Sequence, residues 1–384
     1  MKSQNKKKEI NNSGSYSAKI KVVGVGGGGG NAVSRMYDDI GIRGIEFIAI
    51  NTDAQDLDYC RAKRKIYIGK NLTRGLGTGM NPDIGRQAAE ENRSEISEAL
   101  KGADLVFITI GLGGGTGSGA GPIVAEAAKE NGALTIAVVT KPFTFEGSQR
   151  SRIAQEALTK LKEKVDTIIV IPNDRIFTII KKDTPLLKAF EYIDVILRSA
   201  VQGIAELIAA PGIINVDFAD IKTIMKDAGP ALVGIGVANG QERALNSVNQ
   251  VVNSPLLEVS IDGAKGVLFG VASNRDLKMA EINEVAKVIT ASVDPAAKII
   301  FGAYHDRKLK PGQLKVTLIA TGFNGQLVRS TETPLATLFT EQQPKALREA
   351  KDKDSEGKKT SKAAEKKKGE DDIWEIPAFL RRRK

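Results

Sequence analysis

Two glycine-rich segments carry residue types that could do chemistry in this sequence. The longer, GLGGGTGSGAGP, runs from Gly111 to Pro122 between the apolar run LVFITI and the periodic segment IVAEAA. The other, GVGGGGGN from Gly24 to Asn31, also follows a strand-like run and precedes a helical pattern. Ordering glycine costs more conformational entropy than ordering any other residue, so runs of glycine indicate that the backbone must approach a ligand or another segment closely. Backbone N–H groups at the start of a helix bind anions, so both segments predict phosphate binding.

The glycine segments alone leave two classes of nucleotide site open. Gly24–Gly29 satisfies the G-x-G-x-x-G pattern, and Asn51–Asp53 ends the next predicted strand, so an NAD-dependent oxidoreductase is an alternative. No G-x-x-x-x-G-K-[ST] occurs, which excludes a P-loop NTPase. Two such loops at one sheet edge favour a longer phosphate chain, with Thr116 or Ser118 offering a hydroxyl. Close packing of helix and strand should account for one or two of the five glycines in Gly113–Gly119, but not for all.

A third segment, NVDFAD from Asn215 to Asp220, offers two carboxylates at short spacing. Asp217 and Asp220 are three residues apart, so they lie near one face and could orient and polarise an attacking water. The alternative is that Asp217 is the N-cap of a helix over Ile221–Met225, with Asp220 in its first turn. Taken without context, these residues favour the helix cap.

Strand-like runs alternate with helical patterns from Lys19 onward, which predicts a parallel sheet covered by helices on both faces. Ligands of such sheets bind beyond the carboxyl ends of the strands, where both glycine segments fall. The predicted strands are Ile20–Val23, Glu46–Ile50, Leu105–Ile110, Leu134–Val139 and Thr167–Ile171, with helices around Ile84–Leu100 and Ser148–Lys164.

A long helix from Pro185 to about Ala209 follows, because apolar residues recur there at helical spacing. It should join the first domain to a second, smaller α/β unit. The strands expected in that unit are Leu232–Val237, Val267–Ala272, Ile299–Tyr304 and Lys315–Ala320, with helices near Glu242–Val252 and Lys278–Ser292.

The end of the chain changes character twice. The apolar periodicity disappears after about Gly325, and Pro344–Gly369 consists mostly of Lys, Glu, Asp, Ala and Ser, so residues 325–370 are predicted to be a disordered linker. The last residues, DDIWEIPAFLRRRK, contain the only tryptophan and favour a peptide that docks on a partner, although a tail without function is the alternative. We therefore expect a disordered tail (1–18), a nucleotide-binding domain (19–184), a connecting helix (185–209), a second domain (210–324), a linker (325–370) and a docking peptide (371–384).

Composition narrows the function classes. The chain has 384 residues, 41% hydrophobic and 27% charged, with a net charge of +10 that is concentrated in its two ends. The nearly neutral body argues against a nucleic-acid groove. Cys60 and His305 are the only residues of their types, which excludes an intrachain disulfide and a Cys/His zinc cluster and leaves little room for a Ser-His-Asp hydrolase. The sequence has no secretory leader pattern and no apolar run of ~20 residues, so we expect a cytoplasmic protein without a membrane span.

The order and spacing of several motifs resemble the FtsZ family of bacterial, tubulin-like cell-division GTPases. GGGTGSG at Gly113–Gly119 is similar to the tubulin/FtsZ signature. GLGTGMNP at Gly75–Pro82, which alone could equally be a plain turn, also fits the pattern. The other matching motifs are GVGGGGGNAV, FIAINTDAQ, KPFTFEGSQR, IPNDRIF, NVDFADIKTIM and, near the end, IPAFL. The resemblance spans about Lys19 to Phe323 and the last dozen residues. It implies a Rossmann-like GTP-binding domain, a long central helix and a second domain with a mixed sheet.

The resemblance also implies that the chain binds GTP or GDP with Mg²⁺, that none of its own residues forms a separate metal site, and which residues hold the nucleotide. The phosphates would be held by Gly27, Gly28, Gly29, Gly30, Asn31, Gly114, Gly115, Thr116 and Gly117, with Thr78, Gly79 and Met80 beside the γ-phosphate. Glu146 and Arg150 match positions that contact the ribose and a neighbouring phosphate. Asn173, Phe190 and Asp194 match the guanine pocket, where a carboxylate accepts from the N1–H and N2–H₂ donors that adenine lacks.

In the family, the acidic segment enters the nucleotide site of the next subunit. The resemblance therefore implies that Asp217, Asp220 and Asn215 act in trans, in a head-to-tail filament at the division ring. Ile373–Leu380 would dock on membrane-tethering and regulatory division proteins. Met80 is bulkier than expected at its position, and Trp374-Glu375 replaces the usual leucine-aspartate. A tubulin-like filament GTPase of another role, such as plasmid segregation, and the oxidoreductase are the alternatives.

Overall fold

The computed structural model describes residues 18–39, 44–181, 183–209, 212–254 and 260–323. The predicted linker, the predicted docking peptide with Ile373–Leu380 and the N-terminal segment up to residue 17 lie outside the described residues.

The described residues form eleven strands and eleven α-helices. The strands are β1 (Ile20–Val25), β2 (Ile45–Asn51), β3 (Arg64–Tyr67), β4 (Leu105–Gly111), β5 (Leu134–Lys141), β6 (Thr167–Pro172), β7 (Gly212–Ile214), β8 (Gly229–Asn239), β9 (Gly266–Ser273), β10 (Lys298–His305) and β11 (Gln313–Thr321). The helices are α1 (Gly26–Asp39), α2 (Ala54–Tyr59), α3 (Lys70–Thr73), α4 (Pro82–Glu91), α5 (Arg93–Leu100), α6 (Gly115–Glu130), α7 (Ser148–Lys162), α8 (Leu186–Ala209), α9 (Phe218–Met225), α10 (Arg243–Val252) and α11 (Met279–Ala291).

The first six strands form a parallel sheet in the order β3-β2-β1-β4-β5-β6. β1 is buried along its whole length, as expected of a strand covered by helices on both faces. Val25 at the end of β1 pairs with Ile50 of β2 and with Ile110 of β4. Because these three strands end at the same level, the glycine segments that follow β1 and β4 lie side by side at the carboxyl edge of the sheet.

The second half continues the same sheet with mixed strand directions. β8 joins β6 through a short parallel pairing of Gly229–Ala231 with Thr167–Ile169. Beyond it, β11 is antiparallel to both β8 and β9, β10 is parallel to β9, and β7 is antiparallel to β10. The predicted fold class, a parallel α/β sheet followed by a smaller unit with a mixed sheet, is therefore confirmed.

The long helix α8 connects the two halves. Ile193, Leu197 and Val201 lie on its buried face, within the largest apolar core. Near its end, Glu206 accepts hydrogen bonds through Oε2 from the Tyr304 hydroxyl (3.1 Å) and from Lys315 Nζ (2.8 Å). With 24 residues at 1.5 Å each, the helix is about 35 Å long. It spans the molecule from the carboxyl edge of the parallel sheet to β7.

One predicted element is wrong in its extent. The helix expected around Ile84–Leu100 is two helices, α4 and α5, which meet at Asn92 (φ −106°, ψ 18°). Asn92 Oδ1 accepts the backbone N–H of Gly69 at 3.0 Å. The break therefore anchors the loop that carries α3.

Candidate functional site

A cavity of about 470 Å³ opens at the carboxyl edge of the parallel strands. This volume falls within the range of pockets that hold small ligands. The lining residues come from α1, from the end of β4 and the segment before α6, from the end of β5 and the segment that leads into α7, from the segment after β6, and from the first half of α8. They are Gly28, Asn31, Arg35, Gly111, Leu112, Gly114, Thr140, Pro142, Glu146, Arg150, Asn173, Leu187, Phe190, Ile193, Asp194 and Leu197.

The floor of the cavity is formed by residues of α1 and by Gly114, the N-cap residue of α6. α1 begins directly after β1, and α6 begins after its N-cap residue Gly114, which offers no side-chain cap. A Cβ on Gly26 would lie 2.9 Å from the backbone N of Gly117, so the two helix starts are in contact. Positions Gly30 and Gly114 face open space. Two helix N-termini that converge with free N–H groups form a cradle suited to an anion.

Most glycines of the α6 segment are needed for packing, which contradicts our expectation that packing accounts for only one or two of them. A Cβ on Gly115 would lie 2.2 Å from Thr78 Oγ1, one on Gly117 3.2 Å from a backbone oxygen of β1, and one on Gly119 2.0 Å from the Pro82 carbonyl oxygen. These glycines let the start of α6 seat against β1 and α4. Close packing of α6 on β1 and α4 therefore fixes the position of its N-cap residue Gly114, which lines the cavity.

We expect Gly119→Ala to lower the free energy of unfolding by about 1–3 kcal/mol, because the clash is with backbone of α4 that cannot rotate away. Urea unfolding followed by circular dichroism measures the change. Gly30→Ala is the matched control, since a Cβ at this helical position meets nothing within 4 Å. Equal losses in the two variants would contradict this explanation.

Three threonine hydroxyls lie beneath the start of α6. Thr116 Oγ1 is 2.6 Å from Thr52 Oγ1 and 3.4 Å from Thr78 Oγ1, and all three residues are buried. Ser118 Oγ, the other hydroxyl we considered, accepts the N–H of Gly113 at 3.0 Å and so holds the loop instead.

The loop of Gly79 and Met80 lies outside the cavity lining. Both residues line a separate open groove with α7. Met80 has a φ of +64°, a conformation that costs energy for a residue other than glycine. The structure therefore does not bring these two predicted γ-phosphate contacts into the cavity at the carboxyl edge of the sheet.

The wall formed by β6 and α8 offers a site for a planar base. Asn173 is buried, and its Oδ1 has no hydrogen-bond partner among the described residues. Phe190 is 39% exposed, and its ring stands edge-on to buried Phe143 at 5.8 Å between centroids. Asp194 forms an ion pair with Arg35 of α1. An orphaned amide oxygen, a ring face and a carboxylate are together suited to a base that presents N–H donors, as guanine does.

Burial raises the pKa of the Asp194 carboxyl, whereas the Arg35 guanidinium acts in the opposite direction. The net direction is upward. The charge state of this wall therefore depends on the contact with Arg35.

The opposite wall holds the predicted ribose contacts as a pair. Arg150 Nη1 donates to Glu146 Oε2 at 2.6 Å, and Glu146 Oε1 accepts the N–H of Phe143 at 2.8 Å. The structure thus brings Gly28, Asn31, Gly114, Glu146, Arg150, Asn173, Phe190 and Asp194 to one cavity.

Sequence reasoning missed Arg35. It lies one turn after Asn31 on α1, so the i, i+4 spacing from a predicted phosphate contact was the available signal.

The acidic segment lies at the other end of α8. Asp217 is the N-cap residue of α9, and its N–H donates to Asp220 Oδ2 at 3.4 Å, so the helix-cap interpretation describes the local geometry. Both residues are exposed, as is Asn215, whose Oδ1 accepts the N–H of Gly212 at 2.7 Å. The axial rise of α8 from Asp194 to its end is about 20 Å. These three candidates therefore do not reach the cavity of their own chain.

Within the part of the chain that the structure describes, no group of three or more His, Cys, Asp or Glu residues could hold a metal ion. Likewise, no helix in the described ranges is long and apolar enough to cross a membrane.

Comparisons with known proteins agree with this architecture. The sequence model of the Tubulin/FtsZ family, GTPase domain, matches residues 19–181, and that of the FtsZ family, C-terminal domain, matches residues 229–324. A solved structure of an empty FtsZ dimer from M. jannaschii is 49% identical, and the match covers 80% of this chain and 89% of that one with a TM-score of 0.76. A tryptophan-to-tyrosine mutant of FtsZ from M. jannaschii is also 49% identical, and the match covers 80% of this chain and 92% of that one with a TM-score of 0.76.

A more distant similarity extends to CetZ2 from Haloferax volcanii, solved as a GTPγS-bound protofilament. It is 21% identical, and the match covers 80% of this chain and 94% of that one with a TM-score of 0.69. At this identity the match shows a shared fold alone.

Proposed function

The chain belongs to the FtsZ family of GTPases, and from that premise we propose that it assembles head to tail into filaments of the cell-division ring. The observation that carries the proposal is the separation of the cavity from the acidic segment. α8 holds the cavity wall at its first turns and leads to Asn215–Asp220 beyond its last turn. Within one chain, the proposed nucleotide site therefore lacks Asp217 and Asp220. These two exposed carboxylates are free to act on the nucleotide of another subunit.

We propose that GTP lies across the cavity floor with its phosphates on the N-termini of α1 and α6. The backbone N–H groups there would stabilise the phosphate oxygens, and Thr116, in the first turn of α6, would offer its hydroxyl as a further donor. Guanine would stack on Phe190 and donate to Asp194, with Asn173 Oδ1 as a further acceptor. Mg²⁺ would enter with the phosphates, which supply its usual oxygen ligands, and would neutralise part of their charge.

Hydrolysis would take place where two copies meet. Asp217 and Asp220 of the next subunit would orient a water and accept its proton as its oxygen attacks the γ-phosphorus, while the bond to the β–γ bridging oxygen breaks. Asn215 would hold the segment in place through its bond to Gly212. Because the two ends of the chain differ, this contact is heterologous and does not close, which is the geometry of a filament. The dimeric state of the FtsZ structure that is 49% identical to this chain supports this proposal.

The concentration dependence of GTP hydrolysis tests the proposal. We expect phosphate release per molecule, with Mg²⁺ present, to rise above a threshold protein concentration that coincides with the onset of light scattering. A rate per molecule that does not change with concentration would show that each chain is a complete enzyme.

We propose that the two domains span residues 19–184 and 210–324 and are joined by the helix 185–209.

We also propose that Ile373–Leu380 contacts a partner protein. Without residues 371–384, the chain should still form filaments in solution but should lose recruitment to membranes by a tethering protein. Co-sedimentation with vesicles that carry the tethering protein measures this loss. Loss of filaments in this truncated chain would contradict a pure docking role.

The second candidate is a tubulin-like filament GTPase with another task, such as plasmid segregation, which would use the same fold and the same cavity. Localisation of the tagged protein in dividing cells separates the two, because only a division protein should form a ring at the division site. The oxidoreductase alternative rests on the G-x-G-x-x-G pattern alone, whereas the carboxylate and the orphaned acceptor of the cavity favour a base with paired N–H donors, as guanine has.

A further inference from the structure

Arg35 is the charged residue of the cavity to which neither the sequence motifs nor the proposed chemistry assigns a role. It lies on the face of α1 that also presents Gly28 and Asn31 to the cavity. Its guanidinium forms an ion pair with Asp194, on the wall formed by α8. The Asp194 side chain is only 16% exposed, whereas that of Arg35 is 40% exposed. The pair therefore joins a partly solvated cation to a mostly buried carboxylate.

A buried carboxylate binds the guanine N–H donors poorly unless a neighbouring group keeps it ionised. Recognition of the N1–H and N2–H₂ donors requires an acceptor on both oxygens, and a protonated carboxyl would present a donor to one of them. Burial favours the protonated form. A neighbouring cation favours the ionised form and, through a directional hydrogen bond, fixes the plane of the carboxylate.

We infer that Arg35 is a positioning residue for base recognition, which holds the Asp194 carboxylate ionised and oriented so that it can read the guanine edge. The inference rests on the proposed guanine-binding role of Asp194. A carboxylate has about four acceptor positions, so Oδ2 can accept from Arg35 and from the base at the same time. Arg35 would thus set specificity without touching the base.

The other charged groups around Asp194 do not replace Arg35. Glu191, on α8, acts in the direction that raises the Asp194 pKa. Arg198 lies one turn further along the same helix and is not among the groups that shift the Asp194 pKa. On the opposite wall, Glu146 and Arg150 are paired with each other at 2.6 Å. From α1, Arg35 is the cation that bonds Asp194 directly.

The pH dependence of GDP binding tests this inference. Because the complex needs the carboxylate, binding releases a proton from any protonated Asp194, and affinity falls as the pH falls through the pKa of the empty site. Removal of the neighbouring cation raises the pKa of the Asp194 carboxyl further. Arg35→Gln should therefore bind GDP most nearly as wild type does at pH 8, and the ratio of its dissociation constant to that of wild type should grow as the pH falls, toward about tenfold for each pKa unit that separates the two proteins.

The experiment measures the dissociation constant of the full chain for GDP by titration calorimetry from pH 5.5 to 8, for wild type, Arg35→Gln and Arg35→Lys. The ratio of variant to wild-type constants at each pH cancels the protonation of the phosphate itself. Arg35→Lys keeps the charge and should restore most of the wild-type profile. The binding stoichiometry reports whether each variant is folded.

Three results would overturn the inference. A ratio that does not change with pH would mean that Arg35 is only structural. A ratio that grows as the pH rises would mean that Arg35 binds the phosphates, whose charge increases in that direction. Tighter GDP binding by Arg35→Gln would mean that Arg35 blocks the empty cavity. Asp194→Asn separates these failures from failure of the proposed function, because unchanged GDP binding in that variant would remove the role of Asp194 itself.

Discussion

Asp217→Ala is expected to bind GTP and assemble into filaments but to release phosphate roughly 10²- to 10⁴-fold more slowly than wild type. Asp217 lies exposed at the start of α9, remote from the cavity of its own chain. Its removal should therefore leave nucleotide affinity unchanged while a positioned acid/base group is lost from the neighbour's site. Phosphate release and light scattering, measured on the same samples, separate the chemistry from assembly.

Asp217→Ser is the matched control, because Asp217 is also the N-cap of α9. Serine caps a helix about as well as aspartate, whereas alanine costs about 0.5–2 kcal/mol at this position. If the carboxylate acts on water, Asp217→Ser should be as slow as Asp217→Ala. Recovery of the wild-type rate by serine would show that Asp217 is only a helix cap.

Asp194→Asn is expected to weaken GTP binding by roughly 10²- to 10⁴-fold, because two hydrogen bonds to a charged acceptor are lost. Xanthosine triphosphate should gain affinity, since its C2 carbonyl accepts from an amide where guanine donates. Competition against a fluorescent guanine nucleotide measures both changes.

Glu191→Gln is the control for Asp194→Asn. It removes the same charge one turn away on the same helix, from an exposed residue outside the cavity lining. Its GTP affinity should stay at the wild-type value. A loss of affinity equal to that of Asp194→Asn would indicate a general electrostatic effect instead of base recognition.

The sequence predicted the parallel sheet well because long buried strands have a strong pattern. β1, β4 and β5 are nearly continuous apolar runs, and the glycine segments mark where the first two end. Short elements such as β3 and β7 were not predicted, because four and three residues carry little periodicity and depend on pairing with longer neighbours. The break at Asn92 was missed for a related reason, since the bond from Gly69 to its side chain is a tertiary contact.

The candidate site was predicted as a set of positions, mainly from a resemblance. Phe190 shows what residue patterns alone could not give, because its spacing on α8 is that of a core residue and yet it is partly exposed in the cavity. Gly119 lies in a segment that the sequence pattern assigned to phosphate binding. In the structure it must be glycine for packing, because a Cβ there would clash with the Pro82 carbonyl oxygen. The pairing of Arg35 with Asp194 could not be predicted from the sequence, because it depends on the packing of α1 against α8.

A mixture of two defective variants tests most directly whether the active site is shared between subunits. Asp217→Ala keeps a complete nucleotide site, and Asp194→Asn, supplied with xanthosine diphosphate, keeps the acidic segment. With GTP present, random co-assembly of equal amounts should pair the intact halves at about a quarter of the contacts. We predict phosphate release well above the sum of the two variants measured separately. Release equal to that sum, in filaments shown to contain both variants, would contradict a shared site.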